Sequence, residues 1–234
     1  MNKAIVLLSG GLDSATVLYY ARSRGYQCSC LIFDYGQRHR REIRSAQALA
    51  RRARCEQRVV KISFPLKGSS LLNTRAKIPE NCGTAAWRRR AAIPSTYVPA
   101  RNIIFLSFAL SYAETAGAGS VFIGANAVDY SGYPDCRPEF FRAFERVIRT
   151  GTKAGITRGY RNKIKIETPL IDKSKKEIVA LAMKLKVPLE MTWSCYQGGS
   201  KACGVCDSCV LRAKGFCEAG YPDPAVKNGQ RKDH

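Results

Sequence analysis

An apolar run, Ala4-Ile5-Val6-Leu7-Leu8, meets two adjacent glycines in Ser9-Gly10-Gly11-Leu12-Asp13-Ser14, and an amphipathic stretch from Ala15 to Arg22 follows, with Val17, Leu18 and Ala21 at helical spacing. This order predicts a buried strand, a tight turn and a helix. Paired glycines let the backbone turn sharply and let a ligand come close to it. The hydroxyls of Ser9 and Ser14 and the first free N–H groups of the helix then face the turn. With the positive end of the helix dipole, they suit a phosphate. Asp13 repels a phosphate unless Mg²⁺ lies between them, so its expected place is on the metal side. The spacing is neither GxxxxGK[ST] nor GxGxxG. For the motif alone, an ordinary glycine-rich strand–helix turn is the plainer alternative.

The pattern continues through a second strand, Cys28 to Phe33, a helix over about Arg41 to Ala53 and a third strand, Gln57 to Ile62. A β-α-β-α-β start implies right-handed crossovers and a parallel sheet, and ligands of such sheets bind beyond the carboxyl ends of the strands. The glycine turn and Asp34-Tyr35-Gly36 both fall on that edge. Ser63 to Ala100 shows no periodicity, and a stretch this long in a compact domain is usually functional or mobile. Arg101 and Asn102 open an apolar helix from Ile103 to about Ala116. They are positioned either to contact a nucleotide or, for Asn102, to cap the helix. A fourth strand, Ser120 to Gly124, leads into a polar and aromatic loop, Ala125 to Arg137, whose carboxylates, hydroxyls, rings and guanidinium suit a flat heterocycle bearing a carboxylate. A plain turn-rich loop is the alternative. A helix from Pro138 to Thr150, a break at Gly151 to Gly155, a short strand at Ile164 to Thr168 and a helix from the capping box Ser174-Lys175-Lys176-Glu177 to Leu185 complete this part.

Ten cysteines stand in the chain, of which Cys28, Cys30, Cys55, Cys82 and Cys136 are scattered and read as small hydrophobes. Cys195, Cys203, Cys206 and Cys209 are clustered, in two overlapping CxxC steps plus one upstream thiol. Four soft ligands on short loops suit tetrahedral zinc in a closed, structural site. An iron–sulfur cluster is the rival, and Cys217 is a spare fourth ligand.

The 234 residues carry 39 Lys and Arg against 18 Asp and Glu, a net charge of +21. That excess favours anionic ligands such as ATP, carboxylates or nucleic acid. The basic runs, among them Arg38 to Arg44, Arg88 to Arg90 and Arg158 to Lys165, are dispersed and read mostly as solvated surface. Met1-Asn2-Lys3 and the apolar run imitate a signal peptide, but the run is short and is cut by Ser-Gly-Gly. No stretch is long and apolar enough to span a bilayer, so a soluble cytoplasmic protein is expected.

The turn SGGLDS resembles the PP-loop of the ATP pyrophosphatase superfamily, whose members split ATP into AMP and pyrophosphate. Together with Phe33-Asp34-Tyr35-Gly36-Gln37-Arg38-His39, Tyr97-Val98-Pro99, Arg101-Asn102, Gly124 to Pro138, Trp193-Ser194-Cys195-Tyr196 through Cys209 and Leu211 to Phe216, it appears in the order found in the 7-cyano-7-deazaguanine synthase family. Ala100 departs from the family, which usually has glycine there.

The resemblance implies an α/β, parallel-sheet PP-loop domain (adenine nucleotide alpha hydrolase-like, Rossmann-like) over residues 1–188, a zinc-binding segment over 189–224 and a basic tail over 225–234. It implies an ATP-dependent ligase of queuosine biosynthesis. Such an enzyme converts 7-carboxy-7-deazaguanine and ammonia to the 7-cyano compound through adenylated acid and amide intermediates, with Mg²⁺ accompanying ATP and one structural zinc per chain. The implied ATP site is Leu8, Ser9, Gly10, Gly11, Leu12, Asp13, Ser14, Ala15, Phe33, Arg101, Asn102 and Gly124, with Asp13 and Ser14 catalytic. Asp129, Tyr130, Asp135 and Arg137 are the candidates for the deazaguanine, and Cys195, Cys203, Cys206 and Cys209 for the metal. No residue reads as a nucleophile, and His39 reads as structural. The family suggests a homodimer that needs neither membrane nor nucleic acid. The rival functions are adenylation of a tRNA base by another PP-loop enzyme and a non-catalytic, zinc-bearing nucleic-acid-binding module.

Overall fold

The computed structural model describes residues 2–64, 69–73, 75–80, 93–127, 132–157 and 163–224. Five strands, β1 (Lys3–Leu7), β2 (Gln27–Asp34), β3 (Glu56–Lys61), β4 (Ser120–Phe122) and β5 (Lys165–Glu167), form one sheet in the order β3-β2-β1-β4-β5. Every pairing is parallel. The chain winds from β1 outward through β2 to β3, then crosses back to β4 and β5 on the other side. The direction of winding therefore reverses between β1 and β4, and a crevice opens there at the carboxyl ends of the strands.

Alternation along β1 sorts side chains to the two faces of the sheet. Ile5 and Leu7 join Leu31, Phe33, Leu106, Ala109 and Phe144 on one face, while Ala4, Val6 and Leu8 join Val17, Leu18, Ile32, Leu49 and Ile178 on the other. The helices α1 (Leu12–Ser23), α2 (Arg41–Arg52) and α6 (Lys175–Lys184) cover the second face, and α3 (Arg101–Ala116) and α4 (Pro138–Gly151) the first. Buried Cys28 and Cys30 belong to the second face as small hydrophobes. A short helix α5 (Lys153–Ile156) occupies the break expected after α4, and α7 (Asp207–Glu218) closes the described chain. No helix among the described residues is long and apolar enough to cross a membrane.

Three boundaries differ from the sequence reading, each for a local reason. Helix α1 begins at Leu12, with Gly11 as its N-cap, so Asp13 and Ser14 lie in the first helical turn and not in the loop. Helix α3 begins at Arg101, two residues early, and its N-cap is Ala100 in the left-handed region at φ 56°. Asn102 is therefore inside the helix and caps nothing. Its backbone N–H donates to Asp135 Oδ2 at 3.0 Å and its side-chain amide to the Asp135 carbonyl at 3.0 Å. Helix α7 lies where the reading placed only loops around cysteines, with Cys206 as its N-cap and Cys209 in its first turn. Asp129, Tyr130, Cys82, Arg88 to Arg90 and the tail over 225–234 lie outside the described residues.

The conformation of Ala100 accounts for glycine being usual there in the family it resembles. A left-handed residue bearing a Cβ costs about 1–2 kcal/mol, and the greater freedom of an unfolded glycine offsets about 0.5–1 kcal/mol of that. Ala100→Gly is expected to stabilise the fold by about 0.5–1 kcal/mol and to raise Tm by about 1–4 °C in calorimetry. A lower Tm contradicts the strain.

Candidate active site

The glycine turn is held from three sides. Gly10 is at φ 92°, and a Cβ on it would lie 2.3 Å from the Glu42 carbonyl oxygen and 2.7 Å from the Ala46 nitrogen of α2. Its own carbonyl accepts the Trp193 N–H at 2.9 Å. A Cβ on Gly124, just past β4, would lie 3.0 Å from the Ser14 nitrogen. Glycine at 124 thus leaves the start of α1 open to the crevice. The N–H groups of Leu12, Asp13 and Ser14, as the first of the helix, lack a carbonyl one turn back. Inside the turn the Ser14 hydroxyl is the hub. It accepts from the Ser9 and Gly10 N–H groups, both at 3.2 Å, meets the Ser9 hydroxyl at 3.0 Å and lies 3.2 Å from the Gly11 carbonyl.

Asp13 faces a cation that the sequence reading missed. Lys175 Nζ donates to both carboxylate oxygens, at 2.8 and 3.1 Å, with side-chain exposures of 14% for the lysine and 26% for the aspartate. Lys175 is the first residue of α6, where the helix dipole disfavours positive charge. A lysine in that position after a serine cap was the available signal. Helix α7 shapes its path, because a Cβ on Gly215 would lie 2.4 Å from Lys175 Cγ and 2.9 Å from its Cβ. A glycine inside a helix costs about 1 kcal/mol relative to alanine, and here it makes room for the stem of the lysine.

Asp13, Lys175 and most of the glycine turn line a cavity of about 290 Å³ at the reversal point between β1 and β4. Leu8, Ser9, Gly11, Leu12, Asp13, Ser14, Phe33, Arg101, Asn102 and Gly124 are in its wall. Gly10 and Ala15 are not in it, and neither are Asp135 and Arg137; Asp129 and Tyr130 are outside the described residues. The Phe33 ring stacks on Phe105 with centroids 3.9 Å apart, and both belong to the wall, which makes that side of the cavity aromatic. Burial works against the charge of Arg101, but the acidic groups around it, Tyr35, Tyr133, Cys136 and Asp135, raise its pKa above the ordinary range as they ionise, so the guanidinium stays charged. Burial in turn pushes the Tyr35 phenol up and, together with Asp135, the Cys136 thiol to about 11. Both are protonated at neutral pH.

The far wall comes from the turn after β2 and from the C-terminal segment: His39, Glu42, Ser194, Tyr196, Ser208 and Arg212. Gln37 builds the turn, accepting the Tyr35 N–H at 2.8 Å and donating to the Phe33 carbonyl at 3.1 Å. Arg212 is buried and uses all five guanidinium N–H groups: two on the Asp223 carboxylate, the others on Thr192 Oγ1, Ser194 Oγ and the Leu189 carbonyl. With no donor left, it braces the wall and has none to offer a ligand.

The sulfur atoms of Cys195, Cys203, Cys206 and Cys209 lie within 4.8 Å of one another. Tetrahedral zinc with bonds of about 2.3 Å separates its sulfurs by about 3.8 Å, so the set fits a metal ion with little adjustment. Four thiolates this close repel. Hydrogen bonds from Cys206 and Cys209 hold the Cys195 thiol far below the ordinary range, and the Cys195 contacts push Cys206 and Cys209 up. A bound cation resolves that conflict by ionising all four. Cys217, the spare candidate, is exposed on α7 and outside the cluster. Trp193 connects the cluster to the glycine turn, since its backbone N–H reaches Gly10 and its indole N–H donates to the Cys195 carbonyl at 3.1 Å.

The chain is 51% identical to the 7-cyano-7-deazaguanine synthase of Thermoplasma volcanium over 223 residues, covering 95% of this chain and 90% of that one. It is 53% identical over 224 residues to the protein of the same name from Acetivibrio thermocellus, covering 95% and 96%. It is 50% identical over 234 residues to 7-cyano-7-deazaguanine synthase 2 of Desulfitobacterium hafniense, covering 99% and 96%. The family model described as Queuosine biosynthesis protein QueC matches residues 3–220. With the crevice and the cysteine cluster both inside that match, the chain belongs to the QueC family.

Proposed function

We propose that the chain converts 7-carboxy-7-deazaguanine and ammonia to 7-cyano-7-deazaguanine, with two ATP becoming two AMP and two pyrophosphates. The observation that carries this reading is the open helix start at the glycine turn, set beside the Lys175–Asp13 pair in the cavity wall. A carboxylate is a poor acceptor because oxide is a poor leaving group. In the first step a carboxylate oxygen attacks the α-phosphorus of ATP, and the bond to pyrophosphate breaks. The N–H groups of the turn and the hydroxyls of Ser9 and Ser14 hold the departing charge, which is stabilisation aimed at the transition state. Mg²⁺ carried with ATP neutralises phosphate charge as a Lewis acid, and Asp13 is the residue that would hold it. Lys175, drawn from Asp13 toward the phosphates, supplies a second positive charge. Ammonia then forms the C–N bond, AMP leaves with the oxygen, and one proton is released. A second ATP activates the amide oxygen; AMP leaves with it, and two protons go, giving the nitrile.

Phe33 and Phe105 offer the aromatic wall for adenine, with Arg101 beside it. The segment 125–137 is assigned to the heterocycle, with Asp129, Tyr130 and Arg137 as its readers. Asp135, engaged with Asn102, acts by holding that segment. Residues 1–188 form the catalytic part and 189–224 the metal-bearing part, which completes the cavity through Ser194, Tyr196 and Ser208. We assign zinc to the four cysteines in a structural role, since four sulfurs leave no open position for chemistry. The family likeness supports a cytoplasmic homodimer acting on small molecules.

Incubation of the purified chain with ATP, Mg²⁺, ammonium and 7-carboxy-7-deazaguanine is expected to yield the nitrile and two AMP per product by mass spectrometry. No turnover by a folded, metal-replete sample overturns the proposal. In the same assay Lys175→Ala is expected to lose at least about 100-fold in kcat. Gly215→Ala, which displaces Lys175 without removing it, should lose less. An unchanged rate in both variants removes the lysine from the mechanism.

Elemental analysis is expected to find about one zinc per colourless chain, and chelation to lower Tm. Iron with the visible absorption of an iron–sulfur cluster contradicts the assignment.

A further inference from the structure

Ammonia becomes an amide only if a proton leaves its nitrogen, and the mechanism above names no group to receive it. Among the groups of the cavity wall, Asp13 is paired with Lys175, and with ATP bound it would be taken up by Mg²⁺. Cys136 and Tyr35 hold their own protons at neutral pH. His39 is different. It is in the cavity wall, and its side chain is 4% exposed. Its Nε2 lies 2.9 Å from Glu42 Oε2, three residues on and itself 17% exposed. A carboxylate accepts only from N–H, so this contact places a proton on Nε2, and in the neutral ring the lone pair is then on Nδ1. Nδ1 is buried and has no hydrogen-bond partner among the described residues. Buried acceptors are almost always satisfied, and one left open invites a donor. The Tyr196 ring lies beside the imidazole, with ring centroids 5.8 Å apart.

The pair also stands next to the glycine turn. Gly10 packs on the carbonyl oxygen of Glu42 closely enough to exclude a Cβ. A base oriented by a carboxylate is the arrangement that activates weak nucleophiles in many enzymes. We infer that His39, oriented by Glu42, is the base that takes the proton from ammonia as it displaces AMP. The inference rests on the function proposed above. In the step, the nitrogen lone pair forms the C–N bond, the C–O bond to AMP breaks, and AMP leaves with that electron pair. One N–H proton passes to His39 Nδ1, which ammonia reaches once the Tyr196 ring beside it moves aside. Glu42 then faces an imidazolium and stabilises it. The proton returns to water before the second ATP is used.

The test separates the two half-reactions. Adenylation is read without ammonium, as exchange of labelled pyrophosphate into ATP that depends on 7-carboxy-7-deazaguanine. The ammonia step is read as formation of amide and nitrile. His39→Asn is expected to keep the exchange rate within about threefold of the parent and to lose about 100-fold or more in ammonium-dependent product, the usual worth of a general base. Added imidazole should restore part of the product in this variant. Glu42→Gln, which leaves the base in place but loosens its orientation, is expected to show the same split at smaller amplitude, and it carries the test if the histidine variant does not fold. Product formation within threefold of the parent overturns the inference, as does a parallel loss of exchange and product, which marks a structural histidine. Absence of substrate-dependent exchange in the parent chain defeats the function proposed above, and this inference with it.

Discussion

The site depends on backbones brought together where side chains are missing. Gly10 rests on the carbonyl of Glu42, and Gly124 rests on the start of α1. Neither approach survives a Cβ at its present distance. From these two contacts follows the geometry of the crevice. The turn after β1 is pinned to α2, the end of β4 is drawn against α1, and the first N–H groups of α1 are left open at the point where the sheet reverses its winding. Strand β1 makes this possible by being buried on both faces, so that it fixes the height of the turn relative to β2 and β4.

The cysteine segment is tied into the same site by two links across the fold and stiffened by a third within itself. Trp193 hydrogen-bonds to Gly10 on one side and to Cys195 on the other. Arg212 ties α7 to Leu189, Thr192 and Ser194 with three of its five donors and spends the other two on Asp223. Gly215 admits the stem of Lys175, which reaches Asp13. A metal bound by the four sulfurs would therefore brace the wall of the cavity. Its influence on chemistry would run through the placement of Lys175 and the Ser194–Tyr196 stretch, and would require no open coordination position.

The parts of this arrangement that were legible in the sequence are local in the chain. Ala4 to Ser14 declares strand, turn and helix within one short segment, and the CxxC steps declare a metal site by spacing alone. The parallel sheet followed from the alternation of strands and helices. What could not be read are pairings across the fold. Lys175 and Asp13 are 162 residues apart, and nothing in the capping box of α6 says what its first lysine faces. Asn102 has the chemistry of a cap and sits in the right place for one. The backbone instead turns at Ala100 and buries Asn102 against Asp135. His39 was read as structural because a single histidine after a strand carries no partner with it. The start of α2 at Arg41 was expected, but the tight turn before it, in which the Glu42 N–H donates to the His39 carbonyl at 2.9 Å and the two side chains meet, was not. Helix α7 was missed because cysteines and glycines signal loops more strongly than they signal a helix start.

A crystal structure with a non-hydrolysable ATP analogue and Mg²⁺ addresses the central claim most directly. The account predicts the β- and γ-phosphates within hydrogen-bond distance of the N–H groups over Gly10 to Ser14, adenine beside Phe33, and Lys175 moved from Asp13 toward the phosphates. Adenine packed against the glycines, or a turn left empty at saturating nucleotide, contradicts it.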